Sequence, residues 1–135
     1  MKPHIFPVRI YYEDTDAAGI VYYANYLKFA ERARTEALRL CGFDQSELMK
    51  VQGIGFVVRK CTCDFLKPAM LDDLLTIETR LEDISRVSMH MRQTIRRGNE
   101  TLVTLEVKLA VIGKSRKPVR MPEEVRKAML GVFKG

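Results

Sequence analysis

Hydrophobic positions along this chain fall into two periods, and the switch between them predicts the architecture. Tyr26, Ala30, Ala33, Ala37 and Cys41 recur every three or four residues, the spacing that lines one face of a helix. Lys28, Glu31, Arg32, Thr35 and Arg39 fall mostly on other faces, and Gly42 supplies a stop. Alanines at 30, 33 and 37 predict a helix able to lie close against a sheet. Beyond Gly53 the period shortens to two. Phe56, Val58 and residues 61–65 predict a long bulged strand, ended by Pro68. Leu75, Ile77, Thr79 and Leu81 predict another strand, and Val87, Met89, Met91 and Ile95 the next. Val103, Leu105, Val107, Leu109 and Val111 give the clearest alternation. Gly98-Asn99 marks the hairpin before it, and residues 83–86 the preceding turn. A short strand over residues 8–12 precedes the helix. Met121-Pro122-Glu123-Glu124 opens a terminal helix with acids in its first turn, as the helix dipole prefers.

The predicted order is strand, long helix, four antiparallel strands, short helix. One long helix against a five-stranded sheet is a two-layer α+β architecture. The 135 residues carry no repeat or linker, so residues 1–135 are expected to form one domain burying about 70% of its unfolded surface. Sheet edges of this length predict pairing with another subunit.

Composition narrows the function. A hydrophobic fraction of 47% and a charged fraction of 30% are those of a soluble globular protein. No apolar run approaches the roughly 18 residues that span a bilayer, and residues 1–7 lack a signal-peptide layout. Cys41, Cys61 and Cys63 are odd in number, which argues against a disulfide framework. Cys61 and Cys63 share one face of a strand as core or pocket-wall thiols, and two histidines complete no metal site. The expectation is a cytoplasmic protein without metal or cofactor. The net charge of +6 points weakly to an anionic partner. Basic residues gather late, at Arg96, Arg97, Lys114, Arg116, Lys117 and Arg120, whereas all five tyrosines lie between positions 11 and 26. Nucleic-acid binding interleaves the two types, so a phosphate-bearing small molecule or an acidic carrier protein fits better.

Candidate chemistry sits in Tyr12-Glu13-Asp14-Thr15-Asp16-Ala17-Ala18-Gly19-Ile20-Val21-Tyr22-Tyr23. This acid-rich loop runs through a glycine into the helix, which predicts a carboxylate beside the free N–H groups of a helix start. A donor aimed at a developing oxyanion is typically worth ~10²–10³ in rate. Asp16 is then a base or a nucleophile, suited to ester or thioester hydrolysis. Asp14 and Asp16 are equally the residues a turn and an N-cap favour. Two close carboxylates repel, so Asp14 is assigned to holding the loop.

The segment resembles the hotdog-fold acyl-CoA thioesterases of the 4-hydroxybenzoyl-CoA thioesterase type, and within them the Tol–Pal-associated acyl-CoA thioesterases of bacteria. Tyr12, Asp14-Thr15-Asp16, Gly19, Val21-Tyr22, Asn25-Tyr26-Leu27 and Glu31-Arg32-Ala33-Arg34-Thr35 carry the likeness. Asp64-Phe65-Leu66-Lys67-Pro68-Ala69, Leu71-Asp72-Asp73, Arg86-Val87-Ser88 and residues 117–122 extend it in order along nearly the whole chain. The resemblance implies a hotdog fold, a long central helix wrapped by a five-stranded antiparallel sheet, in a homo-oligomer, dimer or tetramer. It implies hydrolysis of acyl-CoA, or of the same thioester on an acyl carrier protein. It assigns Asp16 as the catalytic carboxylate and the Tyr23 backbone N–H as oxyanion donor, with Gly19 and Tyr22 lining the approach. Arg86, Ser88, Lys117 and Arg120 fall where relatives contact the nucleotide and phosphates. Many members of that group have histidine at the place of Tyr23, which keeps the backbone donor and removes an imidazole. Glu31 is a second acidic candidate, or else the partner of Arg34 or Arg59 in an ion pair.

Two rivals separate by chemistry. Asp14-Thr15-Asp16 also resembles the aspartyl-phosphate phosphatases, but those need helices alternating with parallel strands. A non-catalytic acyl-CoA-binding hotdog protein shares everything except a need for the acid at Asp16.

Overall fold

The computed structural model describes residues 2–133. β1 (His4–Arg9) leads through a 3-10 turn (Tyr12–Asp14) to the long helix α1 (Asn25–Leu40). A short helix α2 (Gln45–Glu47) and a π-helical turn (Leu48–Gln52) precede β2 (Ile54–Phe65), β3 (Leu74–Ile84), β4 (Ser88–Arg97) and β5 (Glu100–Gly113), and α3 (Glu123–Phe133) follows. All strand pairs are antiparallel, in the order β1-β3-β4-β5-β2. This is the expected α+β arrangement, one long helix on a five-stranded antiparallel sheet. Among the described residues no helix is long and apolar enough to cross a membrane.

The local differences have physical causes. β1 starts upstream of the predicted residues 8–12 and shares residues 8 and 9 with them, because an edge strand tolerates Pro7. Residues 12–14 turn instead, with the Asp14 carboxylate accepting the Tyr11 N–H at 2.8 Å. The unpredicted α2 is capped by Asp44, whose Oδ1 accepts the Glu47 N–H at 2.8 Å. Val87 is exposed in the turn before β4 rather than on its inner face. The bulge in β2 falls between Val58 and Lys60. Skipping Arg59 puts Cys61, Cys63 and Phe65 opposite the buried Val107, Leu105 and Val103, on the same side as Phe56 and Val58.

α1 buries Tyr26, Phe29, Ala30, Ala33, Ala37 and Leu38. The alanines let its backbone approach the sheet, and a larger side chain there would cost typically ~1–3 kcal/mol in overpacking. One polar residue lies in this contact. Gln93 of β4, fully buried, donates to the Ala30 carbonyl of α1 at 2.9 Å and to the Thr79 hydroxyl of β3 at 3.0 Å. Its Oε1 accepts from Arg34 Nη1 at 3.0 Å. A buried amide must satisfy both ends, and here it does so by tying helix to sheet. Burial draws the Arg34 guanidinium below its ordinary value, against the opposing pull of Glu31.

Strand pairing sorts the connections to two ends of the sheet. β1, β2 and β4 finish, and β3 and β5 begin, at the end holding Arg9, Phe65, Leu74, Arg97 and Glu100. Ile54, Ile84, Ser88 and Gly113 mark the other end, and the shorter β1 begins halfway, with His4 opposite Thr79.

Replacing Gln93 by leucine keeps the volume and strands the Arg34 guanidinium and the Ala30 and Thr79 groups. The expected loss is on the order of 2–3 kcal/mol, read as a thermal midpoint lowered by roughly 5–15 °C. An unchanged midpoint would remove Gln93 from the account of how α1 is held.

Candidate active site

The acid loop is a tight hairpin at the first of these ends. Thr15 bridges to Val21, the Asp16 N–H donates to the Ile20 carbonyl at 2.9 Å, and the Tyr22 N–H donates to the Asp14 carbonyl at 3.0 Å. The hairpin rests on the corner between β2 and β3 through Val21 N–H to Ala69 O at 2.9 Å. Asp16 closes the turn. Its carbonyl accepts the Gly19 N–H and its Oδ1 accepts the Ala18 N–H, both at 2.9 Å. Gly19 has φ +80°, a conformation that disfavours any residue with a Cβ. Asp16 is exposed, and its Oδ2 has no partner among the described residues.

The loop does not lead straight from Asp16 into the helix, as the sequence suggested. Asp16 occupies its own turn, and a second turn over residues 22–24 enters α1. Asp14 joins the two. Besides its bond to Tyr11, its carbonyl accepts both the Tyr22 N–H and the Asn25 side-chain amide at 2.9 Å. Ala24 precedes α1 with no side-chain cap, and the Tyr23 and Ala24 N–H groups donate to nothing among the described residues. These free amides lie at the positive end of the α1 dipole.

Beside Tyr23 runs an apolar groove of ≈ 240 Å³, walled by Val21, Tyr26, Phe65 and Leu66 among others. The Tyr23 ring meets Tyr22 at 5.1 Å and stands edge-on to Phe65 at 5.7 Å. Tyr26 is buried beneath, its hydroxyl accepting the Ala69 N–H at 2.9 Å, and burial raises its hydroxyl above the usual value. An ion network braces the corner. Arg97 bonds Asp73 and Glu100, each at 2.7 Å, and Lys67 bonds Glu100 at 2.9 Å. Burial opposes ionisation of Asp73, but the bonds from Arg97 and the Met70 N–H hold its carboxyl below the ordinary range. Arg97, counted in the sequence as surplus positive charge, is thus committed here, and Arg96 pairs with Glu78.

The second set of predicted residues lies at the opposite end. The Arg86 Nε donates to the Met121 carbonyl at 2.8 Å. Residues 117–121 run back along β5, with the Gly113 N–H bonded to the Lys117 carbonyl at 2.9 Å and Pro118 bridged to Ile112. Arg86, Lys117 and Arg120 are exposed, and none forms an ion pair among the described residues. The Ser88 hydroxyl sits 3.1 Å from that of Ser85 and serves the turn. The length of β4 separates the two sets within one chain, about 30 Å at ~3.3 Å per residue. Asp16, Gly19, Tyr22 and Tyr23 come together; Arg86, Ser88, Lys117 and Arg120 come together; the two groups do not meet.

Glu31 makes no ion pair among the described residues, contrary to expectation. Arg34 turns inward because the buried Gln93 oxygen needs a donor. Glu31 stands instead at a cavity of ≈ 170 Å³ between α1 and the sheet. The thiols of Cys41 and Cys63 are each pushed up to about 11 by burial and are inert at neutral pH. Sequence reasoning missed Asn25, Gln93 and the Asp73–Arg97 pair as organisers. The only signal for Gln93 was a polar residue at an inward period-two position.

Residues 18–104 match the Thioesterase superfamily. The chain is 44% identical over 124 residues, 91% of each chain, to an acyl-CoA thioesterase YbgC from Haemophilus influenzae. It is 42% identical over 130 residues, 96% of this chain and 94% of the relative, to an acyl-CoA thioester hydrolase YbgC from Escherichia coli. A crystal structure of a probable thioesterase from Bartonella henselae superposes with a TM-score of 0.86 at 43% identity, covering 89% of this chain and 99% of that one. The chain belongs to the thioesterase superfamily, and its fold is the hotdog fold of those thioester-hydrolysing enzymes.

Proposed function

We propose that this protein hydrolyses the thioester of acyl-coenzyme A, or the same thioester on an acyl carrier protein, with Asp16 as base or nucleophile. The observation that carries this reading is the uncapped start of α1, whose unpaired Tyr23 N–H lies beside an apolar groove on the same loop as a carboxylate with a free oxygen. The thioester oxygen lies against the Tyr23 N–H, which stabilises the charge developing there. As a general base, Asp16 takes a proton from water; the water oxygen bonds to the carbonyl carbon, the C–S bond breaks, and the coenzyme A thiolate leaves to be protonated. As a nucleophile, the carboxylate bonds to the carbonyl carbon, expels the thiolate, and the resulting anhydride is hydrolysed. Both routes use the same donor. Gly19 and Tyr22 shape the approach.

Phosphate binding belongs to Arg86, Lys117 and Arg120, with Ser88 beside them, and their distance from Asp16 in one chain calls for a second copy. β2 is an edge strand exposed on both faces at residues 57–62, with Val57 and Val58 uncovered. Such an edge is a template for pairing. β2 runs from the basic end toward the acid-loop end, so antiparallel pairing with a second β2 sets the Asp16 loop of each copy beside the basic end of the other. The homo-oligomer we infer therefore has active sites between subunits.

Asp16→Asn keeps the shape of the turn and removes the charge. Thiol release from acyl-CoA is expected to fall by at least ~10²-fold with the thermal midpoint unchanged; wild-type turnover would remove the carboxylate from the mechanism and favour a binding protein. Asp14→Asn is expected chiefly to lower stability.

Dilution to monomer, followed by sedimentation alongside activity, is expected to abolish turnover. A fully active monomer would contradict the shared site.

Lys117→Ala or Arg86→Ala is expected to raise KM for acyl-CoA several-fold with kcat nearly unchanged, since exposed phosphates are bound equally in ground and transition states. Added salt is expected to mimic the loss, and a truncated thioester lacking the nucleotide to be indifferent. Loss of kcat on the truncated substrate would place these side chains at the thioester instead.

A further inference from the structure

The cavity between α1 and the sheet has a use that the reaction itself leaves open. Its interior is apolar, with Met89, Met91, Leu109 and Met129 all buried. Its rim is formed by the exposed Glu31 of α1 and by Val58 of β2, 49% exposed. The rim therefore opens on the same β2 edge that is left uncovered. Glu31 is two helical turns from Tyr23, about 12 Å at ~1.5 Å per residue, so a chain's own thioester site does not open directly into its own cavity. Antiparallel β2 pairing changes this. It sets the Tyr23 end of one copy beside Phe56 and Val58 of the other.

We propose that this cavity seats the acyl tail of the thioester bound at the other copy's Tyr23, and that Met129 of α3 is its floor and sets the longest tail accepted. The proposal rests on the shared thioesterase site described above and names its substrate class: unbranched acyl groups of short to medium length with an apolar end. Size gives the limit. A dry cavity of about 150 Å³ holds one benzene-sized group, so ≈ 170 Å³ corresponds to a tail of about six carbons. Chemistry gives the class. The thioethers of Met89, Met91 and Met129 are flexible and repack around a flexible chain. Beyond Arg34, which bonds the neutral Gln93 oxygen, the lining at Met89, Met91, Leu109 and Met129 carries no charge, and an unpaired charge at that depth is strongly disfavoured.

The test compares kcat/KM for butyryl-, hexanoyl-, octanoyl- and dodecanoyl-CoA in the wild type, Met129→Ala and Met129→Phe. Each seated methylene is expected to raise kcat/KM by about fourfold up to hexanoyl, with a fall of at least ~10-fold by dodecanoyl as the tail outgrows the cavity. Met129→Ala is expected to raise the dodecanoyl-to-hexanoyl ratio by at least ~10-fold, and Met129→Phe to shift the best substrate to butyryl. Ratios taken within one preparation cancel any loss of folded protein, and the two substitutions push in opposite directions. A wild type that prefers dodecanoyl, or ratios unmoved by both substitutions, would overturn the assignment. Failure of the underlying reading shows separately, because Asp16→Asn would then turn over every chain length like the wild type.

Discussion

The contact between α1 and the sheet governs everything else in this molecule. Small residues at 30, 33 and 37 allow the helix to lie close, and Gln93 fixes where along the strands it lies by gripping the Ala30 carbonyl while accepting from Arg34. Apolar contact alone is non-directional and would tolerate sliding. A buried amide with its hydrogen bonds made does not, since any shift leaves polar groups unpaired. The position of the free amides at the start of α1 follows from that anchor.

From this fixed helix the acid loop is built outward in layers. Asp14 holds the two turns of the loop to each other and to Asn25, and Asp73 with Arg97 braces the corner on which Val21 and Tyr26 rest. Each of the two close carboxylates accepts one backbone N–H through one oxygen, but Asp14 is half-buried with its carbonyl tied to Tyr22 and Asn25, whereas Asp16 is exposed. Holding the loop through backbone groups also means that Tyr22 and Tyr23 can present their rings outward without supporting the turn.

Charge is distributed just as unevenly. Arg96 and Arg97 neutralise carboxylates, whereas Arg86, Lys117 and Arg120, at the far end of the sheet, form no ion pair among the described residues. Unpaired cations in contact with water keep their full attraction for a multiply charged anion, because no internal carboxylate competes. An apolar groove beside a free N–H at one end and a cationic corner at the other are what the proposed reading asks for in a ligand with an apolar reactive part and a phosphorylated part, shared between two copies.

Much of this was legible along the chain. Periods of 3.6 and two located α1 and the four long strands, Gly98-Asn99 located a hairpin, and the acid loop stood out because no core needs Asp14-Thr15-Asp16 followed by glycine. These are local signals, set by backbone geometry and by which face of one element meets water. Strand order was not local: β2 bypasses β3 to pair with β5, and β1 inserts at the opposite edge beside β3. The antiparallel pairing of β1 with β3 is what puts Asp16 at the end opposite Lys117. The partners of Arg34, Glu31 and Arg97 were equally hidden. Arg34 turns to the buried Gln93 oxygen, which would otherwise go unbonded, whereas Arg97 takes Asp73 and Glu100, which the corner after β2 and the β4–β5 hairpin bring beside it.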